Sequence, residues 1–181
     1  MEPPAHAAEL AAAPVSDGDA ELARARQVAS AVPDPEIPML TVADLGILRG
    51  VAWREGRIIV ALTPTYTGCP ATLAIRLAVE TALLEAGLVS ARVETQLSPP
   101  WTTDDITQEG RRKLREFGIA PPGRRAGSIG QGTDLFAHEA VACPRCSSTA
   151  TRRISEFGST ACKALWRCED CREPFDYFKC L

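Results

Sequence analysis

Two cysteine pairs constrain this chain more than any other feature. Two residues separate Cys143 from Cys146 and Cys168 from Cys171, and 21 residues lie between the pairs. Each pair makes a knuckle that turns two sulfurs toward one ion. Two knuckles complete a tetrahedral four-thiolate site, with sulfur about 2.3 Å from zinc. The intervening segment reads as a hairpin: 149–157 runs out, Gly158-Ser159 turns, and 162–167 runs back. Phe175, Tyr177 and Phe178 supply a last aromatic strand. The pattern predicts a zinc ribbon over 138–181. A module that small cannot bury a sufficient core alone and needs the metal as a staple.

Some ribbons read nucleic acid. Here 138–181 carries seven basic and six acidic residues, and four zinc-bound thiolates would leave it near −1. The whole chain carries −3. Neither figure is the basic footprint of a nucleic-acid reader. No apolar run approaches the roughly 18 residues of a membrane helix, and Met1-Glu2-Pro3-Pro4 does not resemble a secretory leader. A cytoplasmic protein is expected. There, seven cysteines point to metal or thiol chemistry rather than disulfides.

The second informative stretch is Thr63-Pro64-Thr65-Tyr66-Thr67-Gly68-Cys69-Pro70. It follows an apolar run, 58–62, that reads as a buried strand, and precedes an Ala/Leu-rich run, 71–86, with helical spacing. Pro70 fits the first helical position. That puts Cys69 at or beside the N-cap, where free backbone N–H groups and the helix dipole favour the thiolate. An isolated cysteine is commonly inert filler. The strand–loop–Cys-Pro–helix setting favours a functional thiol instead.

Around these landmarks, 1–18 reads as a disordered tail, and Asp17 or Asp19 caps a helix reaching about 31. Pro33, Pro35 and Pro38 make a stiff loop that carries Asp34 and Glu36. Asp44 and Gly46 mark a turn before a strand, 47–53, which pairs antiparallel with 58–62. Gly87 ends the helix after Cys69, and 89–97 alternates as a third strand. Thr102 or Thr103 caps a further helix, in which Arg111, Arg112, Lys113 and Arg115 read as a solvated face. The fold expected is α+β: a small two-layer domain over 19–120, helix-strand-strand-helix-strand plus an extra helix, then a linker over 121–137 and the ribbon. The first domain is expected to fold without the ribbon. Asp34, Glu36, Asp44, Thr63 and Thr67 are candidates to line a pocket with Cys69. Cys162 and Cys180 are left over from the zinc ligands, either as buried ribbon residues or as further thiols of a second, transient site.

Asp34-Pro35-Glu36-Ile37-Pro38, Asp44-Leu45-Gly46 and 63–70 together resemble the SufT-like family of small iron–sulfur assembly factors. From about 33 to 181 the chain resembles the PaaD-like (also PaaJ-like) accessory proteins of the phenylacetyl-CoA epoxidase system. That likeness rests on Pro99-Pro100-Trp101-Thr102-Thr103-Asp104, on 154–165 and on 171–180. The resemblance implies that Cys69 is the functional thiol. It implies a maturation role for a multicomponent di-iron monooxygenase that converts phenylacetyl-CoA to a ring epoxide, with the [2Fe–2S] flavin reductase as partner. Zinc and a transient iron–sulfur cluster or iron are the cofactors expected. No enzymatic activity of its own is expected, since the chain holds no nucleotide loop, flavin motif or paired Glu-x-x-His motif. Two other readings stand beside this one. One is a thiol enzyme, for which Cys69 has no CxxC partner and no nearby histidine. The other is a non-catalytic scaffold subunit that docks through its ribbon. A homodimer is one assembly the sequence admits.

Overall fold

A computed structural model describes residues 17–66, 68–123 and 141–179. Most of the expected tail and linker, with Thr67, His138 and Cys180, lie outside the described residues. Helix α1 (Asp17–Ser30) starts at Asp17, inside the stretch expected as tail. It places Asp17 and Asp19 in its first turn and buries Ala25 and Ala29, whose small side chains allow close packing. Strands β1 (Leu48–Arg54) and β2 (Arg57–Leu62) pair antiparallel across Glu55-Gly56, both at positive φ (51° and 74°). That is the two-residue turn whose twist matches a hairpin. Helix α2 (Ala71–Glu85) buries Ala71, Ile75, Val79 and Leu83, one residue per turn, and carries the chain to β3 (Arg92–Thr95). Strand β3 lies parallel to β2, giving a sheet of order β1-β2-β3. It is shorter than expected because Leu88 and Ala91 are taken up in a turn after Gly87.

The next segment departs further from expectation. Thr102 and Asp105 form a capping box, but it opens only a 3-10 turn, Thr103–Asp105, because Ile106 is extended (φ −65°, ψ 123°). Helix α3 (Gln108–Glu116) begins later. Its cap is Thr107, whose hydroxyl accepts from the Gly110 N–H at 2.9 Å. Nor is its basic run wholly solvated. Arg112 pairs with Glu109 and Glu116 at the surface, whereas Arg111 donates to the carbonyls of Thr103 and Pro122, both at 2.6 Å. Lys113 reaches Asp44 at 2.6 Å.

The ribbon consists of β5 (Thr151–Ser155), β6 (Lys163–Cys168) and β7 (Pro174–Phe178), close to the expected hairpin and aromatic strand. Its sheet has a fourth member. Strand β4 (Ile119–Ala120), which follows α3 directly, pairs parallel with β7, so the order is β4-β7-β6-β5. Two ribbon side chains, Cys162 and Phe178, belong to the same buried cluster as Val60, Val79 and Leu83. The Phe178 ring centroid lies 6.3 Å from that of Trp101. The first unit and the ribbon share a core, a coupling that the expectation of independent folding does not include.

Candidate functional site

Two groups of sulfur donors stand out. The first is the ribbon quartet, whose knuckles repeat one local form. Cys143 N–H donates to Ser148 O at 2.9 Å, and Cys168 N–H donates to Glu173 O at 3.0 Å. Ser147 and Arg172, each just after the second cysteine of its pair, adopt positive φ (63° and 66°). The four sulfurs lie within 4.8 Å of one another, with Cys143 3.7 Å from Cys171 and Cys146 3.6 Å from Cys168. A tetrahedral zinc ion separates its sulfur ligands by about 3.8 Å. The quartet therefore fits the ion without rearrangement. The backbone N–H of Cys171, followed by that of Asp170, points at the Cys168 sulfur and draws that thiol down to about 7. Thiols this close cannot all ionise without a cation among them.

The second group lines a cleft between the first unit and the ribbon. Cys69, Asp34, Glu36 and Thr63 face it from the first unit, and Cys162 and Phe178 from the ribbon. Pro70, expected at the first helical position, is instead the N-cap of α2 (φ −64°, ψ −26°), and Cys69 stands beside that cap, one residue before it, its carbonyl accepting from the Thr72 N–H at 3.2 Å. Asp34 closes its own loop: Oδ1 accepts from the N–H groups of Glu36 and Ile37 at 2.9 and 2.8 Å. Burial raises the Asp34 carboxyl above its ordinary range even so. Glu36 has its Oε2 3.6 Å from the Cys162 sulfur, and Thr160 Oγ1 lies 3.1 Å from that sulfur. Burial pushes the Cys162 thiol up to about 11. Tyr66 sits close by; burial first, then the charges of Cys69, Glu36 and Cys162, raise its phenol.

Asp44 is not among the cleft residues. Its Oδ2 accepts from the Thr41 N–H at 2.9 Å and from Lys113 at 2.6 Å. Burial opposes its charge, but Lys113 and Thr41 outweigh burial and hold the carboxyl below its ordinary range. It joins α3 to the loop that bears it, and two glycines allow the approach. A Cβ on Gly46 (φ +68°) would meet Asp105 O at 2.0 Å, and one on Gly110 would meet Asp44 O at 2.6 Å. Sequence reasoning also passes over Arg49. Its Nε donates to Thr63 Oγ1 at 3.1 Å, and its fork holds Asp105 at 3.0 and 3.1 Å, fixing the cleft wall at Thr63. A lone arginine in a strand gives no signal of such a role. Among the described residues no helix is long and apolar enough to cross a membrane.

The fold and site define a class of protein in which a small α/β unit shares its core with a ribbon carrying four cysteines placed to hold a metal ion. Residues 23–94 match the family described as iron-sulfur cluster assembly protein, and residues 129–179 match the PaaD zinc beta ribbon domain. A protein of Escherichia coli K12, provisionally named as a component of 1,2-phenylacetyl-CoA epoxidase, is 50% identical over 154 residues, covering 84% of this chain and 88% of its own. The chain belongs to the PaaD family of phenylacetyl-CoA epoxidase components. Two solved structures are also similar. One is the domain of unknown function DUF59 from Bacillus anthracis, with 23% identity, 54% of this chain, 93% of that one and a TM-score of 0.49. The other is a Mycobacterium tuberculosis protein described as associated with [Fe-S] complex assembly and repair, with 30% identity, 65% of this chain, 98% of that one and a TM-score of 0.31.

Proposed function

We propose that this protein is an accessory factor of the phenylacetyl-CoA epoxidase system. In this reading it takes part in aerobic phenylacetate degradation and helps to load iron or an iron–sulfur cluster into the [2Fe–2S] flavin reductase. Cys69 is the thiol that handles the cargo, and the protein performs no oxygenation itself. The observation that carries the reading is the position of Cys69. It is a partly exposed thiol at the edge of a cleft, within the segment matched by the iron–sulfur assembly family. The ribbon quartet is a closed four-sulfur set, suited to a structural ion and offering no open coordination position.

The test is Cys69→Ser in a strain that relies on this chain for growth on phenylacetate. Serine at this partly exposed loop position should cost about 1 kcal/mol or less of stability. Zinc content and the thermal transition should match those of the unaltered protein, while growth fails and the purified reductase carries less [2Fe–2S] cluster. Growth with fully loaded reductase would overturn the reading. It would put the non-catalytic scaffold, docking through the ribbon, in its place.

A further inference from the structure

The cleft is built from segments far apart in the chain. Glu36 comes from the proline-rich loop, Cys69 from the loop before α2, and Cys162 from the turn that opens β6. Cys162 is 8% exposed, yet it lines the cleft and belongs to the first unit's core rather than to the ribbon's own cluster. Its sulfur sits 3.6 Å from a carboxylate oxygen of Glu36. A cysteine kept only for packing has no need of a carboxylate at that distance. Cys69, Glu36 and Cys162 all line this same cleft.

We propose that Cys69, Cys162 and Glu36 are the three protein ligands of a cleft site for one divalent iron-class cation. The site exists only where the ribbon docks on the first unit. This deepens the assembly-factor reading and rests on it. Two thiolates and a carboxylate suit iron(II), cobalt(II) and zinc(II) in preference to magnesium or calcium. Three protein ligands leave a coordination position open to an incoming ligand, as an ion that is to be passed on requires. Binding displaces the thiol protons to solvent and changes no oxidation state. Among the described residues, the ribbon quartet alone forms a group of three or more such donors within 4.8 Å of one another. Glu36 already stands at that spacing from Cys162, so in this proposal the partly exposed Cys69 side chain turns toward the pair when the ion binds.

The probe is cobalt(II), added without oxygen to full-length protein already loaded with zinc, with zinc retention measured alongside. The expected result is one cobalt bound beyond the zinc, with thiolate-to-cobalt charge-transfer bands in the near ultraviolet. Cys69→Ser and Cys162→Ser should each weaken that binding at least tenfold and roughly halve the charge-transfer intensity, with zinc content unchanged. Should Cys162→Ser disturb the fold, Glu36→Gln at a partly exposed position serves in its place and should also weaken binding at least tenfold. No cobalt bound beyond the zinc in the unaltered protein overturns the site, as does undiminished binding by a folded Cys162→Ser or Glu36→Gln protein. These outcomes are independent of reductase loading. If that cobalt is absent while Cys69→Ser cells still fail to load the reductase, the cleft site falls and the assembly reading stands. If that cobalt binds while Cys69→Ser cells load the reductase normally, the assembly reading falls and the site stands.

Discussion

The ribbon quartet and the cleft use the same element, sulfur, in opposite ways. The quartet is made of two short turns of one form, its sulfurs already at ligand spacing and two of its cysteines fully enclosed. The cleft is made across a seam, from donors that do not converge. A local, closed, repeated arrangement is suited to hold an ion and so to stabilise a small sheet. A distributed one depends on everything that keeps the seam shut, and its geometry shifts whenever the seam does. The two are linked, because the ribbon that the quartet staples also supplies Cys162 and Phe178 to the cleft.

Cys168→Ser is the severest way to break the comparison. Binding of a structural zinc by four thiolates is worth on the order of 10 kcal/mol and is felt as folding energy. The variant should lose zinc by elemental analysis and lose the ribbon's thermal transition. Full zinc with an unchanged melt would refute the ligand assignment. Phe178→Ala sharpens the comparison by leaving all four thiols in place. Phe178 is 1% exposed and packs on Trp101, so truncation should cost about 3–5 kcal/mol while zinc is retained. A loss below about 1 kcal/mol would mean that the seam is not a shared core. Asp44→Asn acts more gently, on the frame behind the cleft. The folded-state carboxyl lies below its ordinary range, so its contribution is present above the unfolded pKa and is lost as pH falls through the folded value. The variant should be less stable by about 1–2 kcal/mol at pH 7, and the gap should close below about pH 4. A gap that persisted into acid would assign the effect to packing rather than to charge.

The ribbon is legible in the sequence because its signal is local: the spacing of four cysteines and the alternation of nearby aromatics specify a knuckle, a hairpin and a knuckle. The βαβ unit is legible for the same reason, from apolar periodicity and the glycine at the end of α2. The seam is not. Its strand, β4, is two residues long and has no pattern of its own; it becomes a strand only because β7 offers an edge. Cys162 resembles a spare ribbon thiol because nothing between 146 and 168 reports which surface faces the first unit. Asp44 reads as a cleft candidate because its neighbours in sequence are the conspicuous ones, while the partner that decides its role, Lys113, stands 69 positions away. The start of α3 is ambiguous because Thr102 and Thr107 both carry good capping chemistry, and the extended backbone at Ile106 decides between them.

Trp101 stands at that seam, 4% exposed, its indole N–H donating to Leu45 O at 2.8 Å and its ring against Phe178. Of the other tryptophans, Trp166 lies inside the ribbon's own cluster and Trp53 is largely at the surface. The molecule thus carries an optical reporter at its joint. With Trp53 and Trp166 replaced by phenylalanine, Trp101 emission would redden on undocking even if zinc stayed in place. Undocking and unfolding would then be two separate spectral events, the first readable in real time as a partner or a metal is added.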